Sequence, residues 1–347
     1  MHVRLSVILP NRNHAALLPR ALTALARQTR QADEILVIDD ASTDDSRDVI
    51  RGFLSRLPQL RLLENRERLG AVGALNRGLR EASGERVYCG AADDATDPAL
   101  FATLSDALET HPTAALACAE ARLVDEAGRL QGFRPITLPR WRSGFVSPTE
   151  TAQLLRRMDN LFVSVAAIYR RDLMLEAGGL DEQLGALCDG FLARRMALER
   201  GFVFVSRVLA TWHVQAASLS RSTSLDVDQI AALTVAAAQR IRRDEGRIFP
   251  PGYAELFSRR ARFASARLAV IERQFDPRLI AALAQAGDPV HGFLATITGW
   301  PALPRRVAAL IWLTVRLRPM MSMPRLLMSA ALRLMRGVAY RRGSAIG

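Results

Sequence analysis

The sequence predicts an α/β fold built on a parallel sheet, followed by an α-helical carboxy-terminal region. Three observations predict it. Short apolar runs of β type alternate with helical stretches of roughly ten to fifteen residues, the pattern of right-handed βαβ units. Two of those runs stop abruptly at adjacent carboxylates, Asp39-Asp40 and Asp93-Asp94. From Asp226 onward the chain reads as helix throughout, rich in Ala and Arg and broken by prolines.

Residues 5–9 form the first strand, closed by Pro10, and Asn11, Arg12 and Asn13 make the loop into a helix carrying Leu17, Leu18, Ala21, Leu22 and Leu25. After the second strand, 35–38, Ser42 or Thr43 is placed to cap a helix running through Leu54, and the neighbouring acids favour its positive end. Residues 60–63 are the third strand, 65–69 a polar loop, and 70–82 a helix in which Gly73 and Gly78 permit close approach. The fourth strand, 87–89, turns at Gly90, and Pro98 suits the first turn of the next helix. Asp93 and Asp94 therefore fall on the loop leaving a strand's C-terminal edge, where ligands bind in open α/β sheets. Such a pair suits a hard cation carrying a phosphate, Mg²⁺ or Mn²⁺; the alternative is that Asp93 or Asp97 merely caps the helix after Pro98.

Further on, 114–119 makes another strand and 123–130 two short strands around a glycine turn, while 140–146 reads as loop. Ser147-Pro148-Thr149-Glu150 is a capping box. Residues 161–169 are apolar enough for a strand, a short helix follows from Arg171, and Gly178-Gly179 can end it in the left-handed conformation. Cys188-Asp189 opens a helix that Gly201 stops, and 202–205 and 208–213 are the last strands. The expected division is a domain over 1–224 and a helical, Arg-rich region over 225–347.

The formal charge of +12 is unevenly spread. All basic residues are Arg, and nine of them follow Val290, a stretch with no Asp or Glu, so nine of the twelve excess charges belong to the tail. That distribution argues against nucleic acid as a partner of the main domain. In the tail, Arg325, Ser329, Arg333 and Arg336 share one helical face and Leu327, Ala330, Leu334 and Val338 another, which suits either an anionic membrane surface or packing on the chain's own domain with a solvated arginine face. Three widely spaced cysteines without a C-x-x-C pair indicate neither a disulfide framework nor a zinc site, and point to a reducing cytosol. No apolar run is long enough to cross a bilayer. The expected location is cytoplasmic, peripheral on the inner face of the membrane if the tail binds lipid.

The ordered set Leu5-Ser-Val-Ile-Leu-Pro-Asn-Arg-Asn13, Ile35-Leu-Val-Ile-Asp-Asp-Ala-Ser-Thr-Asp44, Asn65 with Gly70, Ala74, Asn76 and Gly78, and Ala92-Asp93-Asp94 resembles the family 2 glycosyltransferases of the A-type, Rossmann-like fold. The likeness extends through Gly178-Gly-Leu-Asp-Glu182, Asp189 and Trp212-His-Val-Gln-Ala-Ala-Ser-Leu-Ser220, about two-thirds of the chain. It implies a mainly parallel mixed sheet, a nucleotide-diphospho-sugar donor (a UDP-sugar in the first place), a divalent Mn²⁺ or Mg²⁺ on its diphosphate, and inverting transfer to a glycan or lipid-linked acceptor in cell-surface polysaccharide or glycan synthesis.

Residue by residue, the resemblance places Pro10, Asn11 and Asn13 beside the nucleoside and Asp40, with Asp39, on the base or ribose, helix capping being the alternative for both acids. Asn65, Gly70, Asn76 and Ala92 complete the donor side, although Asn76 and Arg77 on a helix could equally be packed or solvated. Asp93 matches the metal carboxylate, with Asp94 beside it, and Ala91 stands where the family has the first acid of Asp-x-Asp. His213 matches a position facing the diphosphate or metal, against a core role beside Trp212. Asp189 matches the catalytic base, against an N-cap, and Cys188 replaces the acid usual before it. Ala91 and Cys188 keep open a second reading, a non-catalytic module of the same fold that binds nucleotide sugars. A dinucleotide-dependent oxidoreductase fits poorly, because Gly70-Ala-Val-Gly73 lacks the required glycine spacing.

Overall fold

A computed structural model describes residues 3–158, 161–214, 223, 226–271, 289–317 and 323–335. The chain forms two compact units, Met1–Gln215 with Ser322–Gly347, and Ala216–Met321. The expected boundary residues 224 and 225, the motif residues 215–220, and Arg336 and Val338 lie outside the described residues.

In the first unit, strands β1 (Leu5–Asn11), β2 (Glu34–Asp39), β3 (Leu60–Glu64), β4 (Arg86–Cys89), β5 (Ala95–Thr96), β6 (Leu116–Val124), β7 (Leu130–Arg134), β8 (Gly144–Val146), β9 (Ala167–Arg170) and β10 (Phe202–His213) make one sheet. Its order is β3-β2-β1-β4-β9-β6-β10-β5, with β7 on β6 and β8 on β10. The pairs among β3, β2, β1 and β4 are parallel, as is β6 with β10. β9 lies between β4 and β6 and is antiparallel to both, so these two neighbours point the same way. The six parallel strands thus end on one edge, at Asn11, Asp39, Glu64, Cys89, Val124 and His213. Strand order reverses between β1 and β4, which opens a crevice there.

Burial explains the pairing. Every residue of β2 is buried, as a strand covered on both faces must be. On one face Leu5, Val7, Leu9, Ile35 and Val37 pack with Leu18, Leu22 and Leu25 of α1 (Leu18–Ala26) and with Leu100, Phe101 and Leu104 of α4 (Leu100–Thr110). On the other face α3 (Gly70–Glu81) comes so close to β1 that a methyl at Gly78 would overlap the Ile8 side chain. The unit is completed by α2 (Ser46–Gly52), α5 (Pro148–Arg157), α6 (Arg171–Glu176) and α7 (Cys188–Arg200).

Several local expectations change. α2 starts at Ser46, because the Ser42 hydroxyl is drawn to Asn11 and Asn13, while the Asp44 carboxylate takes the Ser46 N–H at 3.1 Å. α4 starts after Pro98, in a turn held by Asp97, whose carboxylate accepts the Ala99 N–H at 3.0 Å. The strand expected over 161–169 is a 3₁₀ turn, Ser164–Ala166, followed by β9. The 140–146 loop contains β8, and 202–213 is one strand whose register shifts after Val205 bridge the two expected runs. The capping box at Ser147 and Glu150 forms in both directions, and both Gly178 and Gly179 are left-handed.

The second unit contains α8 (Val227–Arg243), α9 (Tyr253–Ile271), α10 (Pro289–Thr296) and α11 (Ala302–Leu317). Ala266, Val270, Leu294, Ile297, Ala309, Leu313 and Leu317 form its small core, with Phe293 against Trp312.

The last described helix, α12 (Met323–Met335), belongs to the first unit, and its faces are the reverse of a solvated arginine face. Ser329 and Arg333 are buried, whereas Leu327 is 65% and Leu334 62% exposed. The Ser329 hydroxyl accepts the Leu138 N–H at 3.0 Å. Arg333 pairs with Glu120 of β6 at 2.7 Å and donates to the carbonyls of Pro135 and Ile136. Glu120 explains the inversion, since a carboxylate 1% exposed in the middle of a sheet requires a cation or donors beside it. Arg333→Ala should therefore destabilise the protein by about 3–5 kcal/mol, the cost of leaving one member of a buried pair alone. Chemical unfolding of this variant and of Arg333→Leu/Glu120→Leu checks it: the double variant should recover most of the loss, and a loss below about 1 kcal/mol in the single variant would mean the pair is solvated.

Candidate active site

The β1 and β2 ends are joined by two buried carboxylates. Asp39 accepts from Asn11 Nδ2 at 3.0 Å, the Ser42 N–H at 3.1 Å and Arg47 Nε at 2.9 Å. Burial alone would raise its pKa; the bonds from Ser42, Arg47 and Asn11 outweigh it and hold the carboxyl below its ordinary value. Asp40 accepts from Asn65 Nδ2 and the Leu69 N–H, both at 2.7 Å, and from the Gly70 N–H at 2.8 Å. It thereby closes the start of α3, with Gly70 at φ +78°. The hydrogen bonds of both acids, candidates for the base or ribose, go to the protein itself.

The amides near them divide in the same way. Asn65 also accepts from Arg77. Asn76 donates to the Leu180 carbonyl at 2.8 Å and accepts the Leu180 N–H at 2.9 Å, pinning the chain after Gly178-Gly179. Asn13 accepts the Thr43 N–H at 2.8 Å. Pro10 is half-buried next to Asn11, whose Oδ1 is buried with no hydrogen-bond partner among the described residues. Asn13 and Ala41 are the two non-glycine residues with positive φ among the described residues, at +54° and +55°, and they flank this corner. Backbone held there costs about 1 kcal/mol or more and persists where surrounding bonds enforce it.

At the β4 end, the Gly90 N–H donates to Ile8 O at 2.9 Å, and the Ala92 methyl is buried in the core, so Ala92 anchors the acidic loop. Asp93 is half-buried, and its carbonyl accepts from Arg20 of α1. Asp94 accepts the backbone N–H of His213 at 3.1 Å, while β5 pairs with β10 just behind. Burial, and then the charge of Asp93, push the Asp94 carboxyl well above its ordinary value against the pull of the His213 N–H and Arg20. Burial and Arg20 depress the His213 imidazole, against Asp93, and its Nδ1 is buried without a partner among the described residues.

Carboxylates are donors that suit Mn²⁺ or Mg²⁺, whereas an imidazole suits softer divalent metals, so the two acids carry the fit. Among the described residues no group of three or more His, Cys, Asp or Glu converges to hold a metal. The fit is to a cation carried on one or two carboxylates and substrate phosphates, the usual Mg²⁺ arrangement.

Asp189 lies in the first turn of α7, half-buried, at the positive end of the helix. Ser164, in the turn before β9, donates its hydroxyl to one carboxylate oxygen, and the Gly190 N–H donates to the other at 2.6 Å. Burial pushes the Cys89 thiol up to about 12, and the Asp189 charge adds to the shift, so Asp189 stands within electrostatic reach of the last residue of β4. The Cys188 thiol is likewise pushed up, by burial first and then by the Asp189 charge. Arg20, Ser42, Arg47 and Ser164 were not legible as site residues: each meets its partner only through the fold, and no local motif marks it.

The profile of glycosyl transferase family 2 matches residues 6–175. The chain belongs to glycosyltransferase family 2. An uncharacterized glycosyltransferase of Nostoc sp. is 35% identical over 108 residues, 31% of this chain and 34% of that protein, so the match spans about a third of the relative. S. aureus TarS 1-349 in complex with UDP is similar with a TM-score of 0.59 at 17% identity, covering 99% of this chain and 95% of that one. The mannosyltransferase PcManGT from Pyrobaculum calidifontis, in complex with GDP-Man and Mn²⁺, gives 0.56 at 22% identity, covering 98% and 89%. At these identities the likeness is one of fold, and the family 2 chain has the A-type fold.

The acidic loop yields a prediction on pH. Asp94 has a folded pKa above its unfolded value, so the folded state holds that proton more tightly and stability falls as pH rises from about 3.8 through the raised value. Asp94→Asn keeps an acceptor for the His213 N–H without the charge. In chelator, its melting temperature should exceed that of the wild type at pH 7, and the gap should close as pH falls to about 3.8. A pH-independent gap would mean that charge is not the cause.

Proposed function

We propose that the chain transfers a sugar from a nucleotide-diphospho-sugar to an acceptor hydroxyl, with inversion, using Asp189 as general base. The observation that supports the proposal is the common edge: the Asp93-Asp94 loop follows β4 and meets His213, the end of β10, through the Asp94–His213 N–H bond, and Asp189 acts electrostatically on Cys89, the last residue of β4. Structures of the same fold in complex with UDP and with GDP-Man and Mn²⁺ support a nucleotide-sugar donor.

Asp93, with Asp94 or the His213 nitrogen as a second ligand, would hold a Mn²⁺ or Mg²⁺ ion. When bound, such a cation neutralises charge developing on the leaving diphosphate. Pro10, Asn11 and Asn13 form the nucleoside corner, where Asn11 Oδ1 can accept from the base or ribose. Asp39, Asp40, Asn65, Gly70 and Asn76 shape this corner through the bonds described above. Asp189 takes the proton of the acceptor hydroxyl as its oxygen bonds to the anomeric carbon and the bond from that carbon to the diphosphate breaks. Ser164 and the Gly190 N–H keep the carboxylate oriented. One displacement of this kind inverts the anomeric centre.

The acceptor in this reading is a glycan or lipid-linked, and attachment to an anionic bilayer fits the exposed Leu327 and Leu334 of α12 better than its buried Arg333. Leu327→Glu/Leu334→Glu should then reduce co-sedimentation with phosphatidylglycerol vesicles, and unchanged recovery would rule that face out.

Two variants test the chemistry. Asp93→Ala should abolish Mn²⁺-dependent binding of nucleotide sugar in calorimetry, whereas Asp94→Ala weakens it less; unchanged affinity in Asp93→Ala sinks the assignment. Asp189→Asn keeps the size and an oxygen that can accept from Ser164 or the Gly190 N–H, so folding and donor affinity should persist. Its transfer rate under saturating donor should drop roughly 10²–10⁴-fold. Wild-type turnover would leave Asp189 a structural residue of the first turn of α7 and make the base assignment wrong.

A further inference from the structure

Away from the strand-end edge, the first unit carries a cavity of 390 Å³ whose rim is dominated by arginine. One face of α5 supplies Glu150, Leu154 and Arg157 at i, i+4 and i+7. The segment leading into β8 supplies Arg140, Trp141 and Arg142, and α12 brings in Arg325. Val146 and Leu154 are buried and make an apolar floor. Val146 pairs with Phe202 at the start of β10, whereas His213 ends that strand eleven positions later, roughly 35 Å away at ~3.3 Å per residue. The cavity is therefore separate from the candidate active site.

Its charges do not balance. The acid Glu150 is committed, one oxygen accepting the Ser147 N–H at 3.0 Å in the capping box and the other lying 3.7 Å from Arg140. Arg140 also donates to the Phe145 carbonyl. Arg142 and Arg157 make no ion pair or hydrogen bond among the described residues. Arg325 reaches the Pro139 carbonyl at 3.4 Å, a long bond, from the first turn of α12, where the helix end is itself positive. Three guanidinium groups around one concavity repel each other and are relieved by an anion, and the planar guanidinium fork matches a phosphate better than a point charge. Trp141, 53% exposed on the same rim, offers a large flat apolar face of the kind on which the C–H face of a sugar ring packs.

We propose that this cavity is a second binding site for a phosphate-bearing saccharide, with Arg142, Arg157 and Arg325 holding the phosphoryl group and Trp141 the adjoining ring. The site does not depend on the assignment of Asp93 or Asp189.

Calorimetric titration of the full-length wild type, Arg142→Ala/Arg157→Ala and Trp141→Ala with glucose 1-phosphate and with inorganic phosphate tests it, melting temperatures confirming that each variant is folded. The wild type should bind glucose 1-phosphate more tightly than phosphate. The double arginine variant should lose at least tenfold toward both, and Trp141→Ala should lose the preference for the sugar phosphate while keeping phosphate affinity. Equal affinities in the wild type and the folded double variant overturn the proposal. Phosphatidylglycerol vesicles separate a lipid source of the phosphoryl group from a soluble one: if the double variant loses vesicle binding while glucose 1-phosphate does not bind the wild type, the phosphate is that of a headgroup and the saccharide assignment is wrong.

Discussion

Two adjacent carboxylates buried at the end of one strand constrain the sheet edge on which the candidate chemistry stands. Asp39 and Asp40 cannot remain charged away from water without donors, and the chain brings those donors from elements far apart in sequence. Asp39 draws in Asn11 from β1 and Arg47 from α2; Asp40 draws in Asn65 and the first N–H groups of α3. Satisfying the two acids therefore fixes how β1, β2 and α3 meet. The left-handed backbone at Asn13 and Ala41 is a local consequence of that closure.

Across the order reversal the same physics has another outcome. Asp93 and Asp94 have fewer protein donors than Asp39 and Asp40, and Asp94 answers by a raised pKa instead of by a shell of hydrogen bonds. The contrast sorts the four acids: the β2 pair is held by protein donors, and the β4 pair is the one proposed to carry a cation shared with phosphates. Asp189 is a third case, held by Ser164 and its own helix start, with oxygen lone pairs left for a proton.

Arg333 and Glu120 repeat the principle on the far side of the sheet, where a buried strand carboxylate selects which face of α12 turns inward. Helical periodicity correctly separated the arginine face from the leucine face, but periodicity carries no information about which face meets the protein. The usual assumption that apolar residues go inside fails because one buried charge outweighs exposure of Leu327 and Leu334. The same docking brings Arg325 to the basic cavity.

By itself the sequence determined the alternation of strands and helices, the carboxylates at the ends of β2 and β4, the capping box at Ser147 and the left-handed Gly178-Gly179, because propensity, capping and turn chemistry act over a few residues. It also carried the family resemblance, whose motifs are local words in a fixed order. Only the tertiary structure decided that β9 runs antiparallel between β4 and β6, that Ser164 meets Asp189, that Asn76 reaches Leu180 across 104 positions, and that Asp39 and Asp40 spend their oxygens on the protein. Those outcomes are set by which distant donor can reach a buried charge, a competition among long-range contacts that no short stretch of chain encodes.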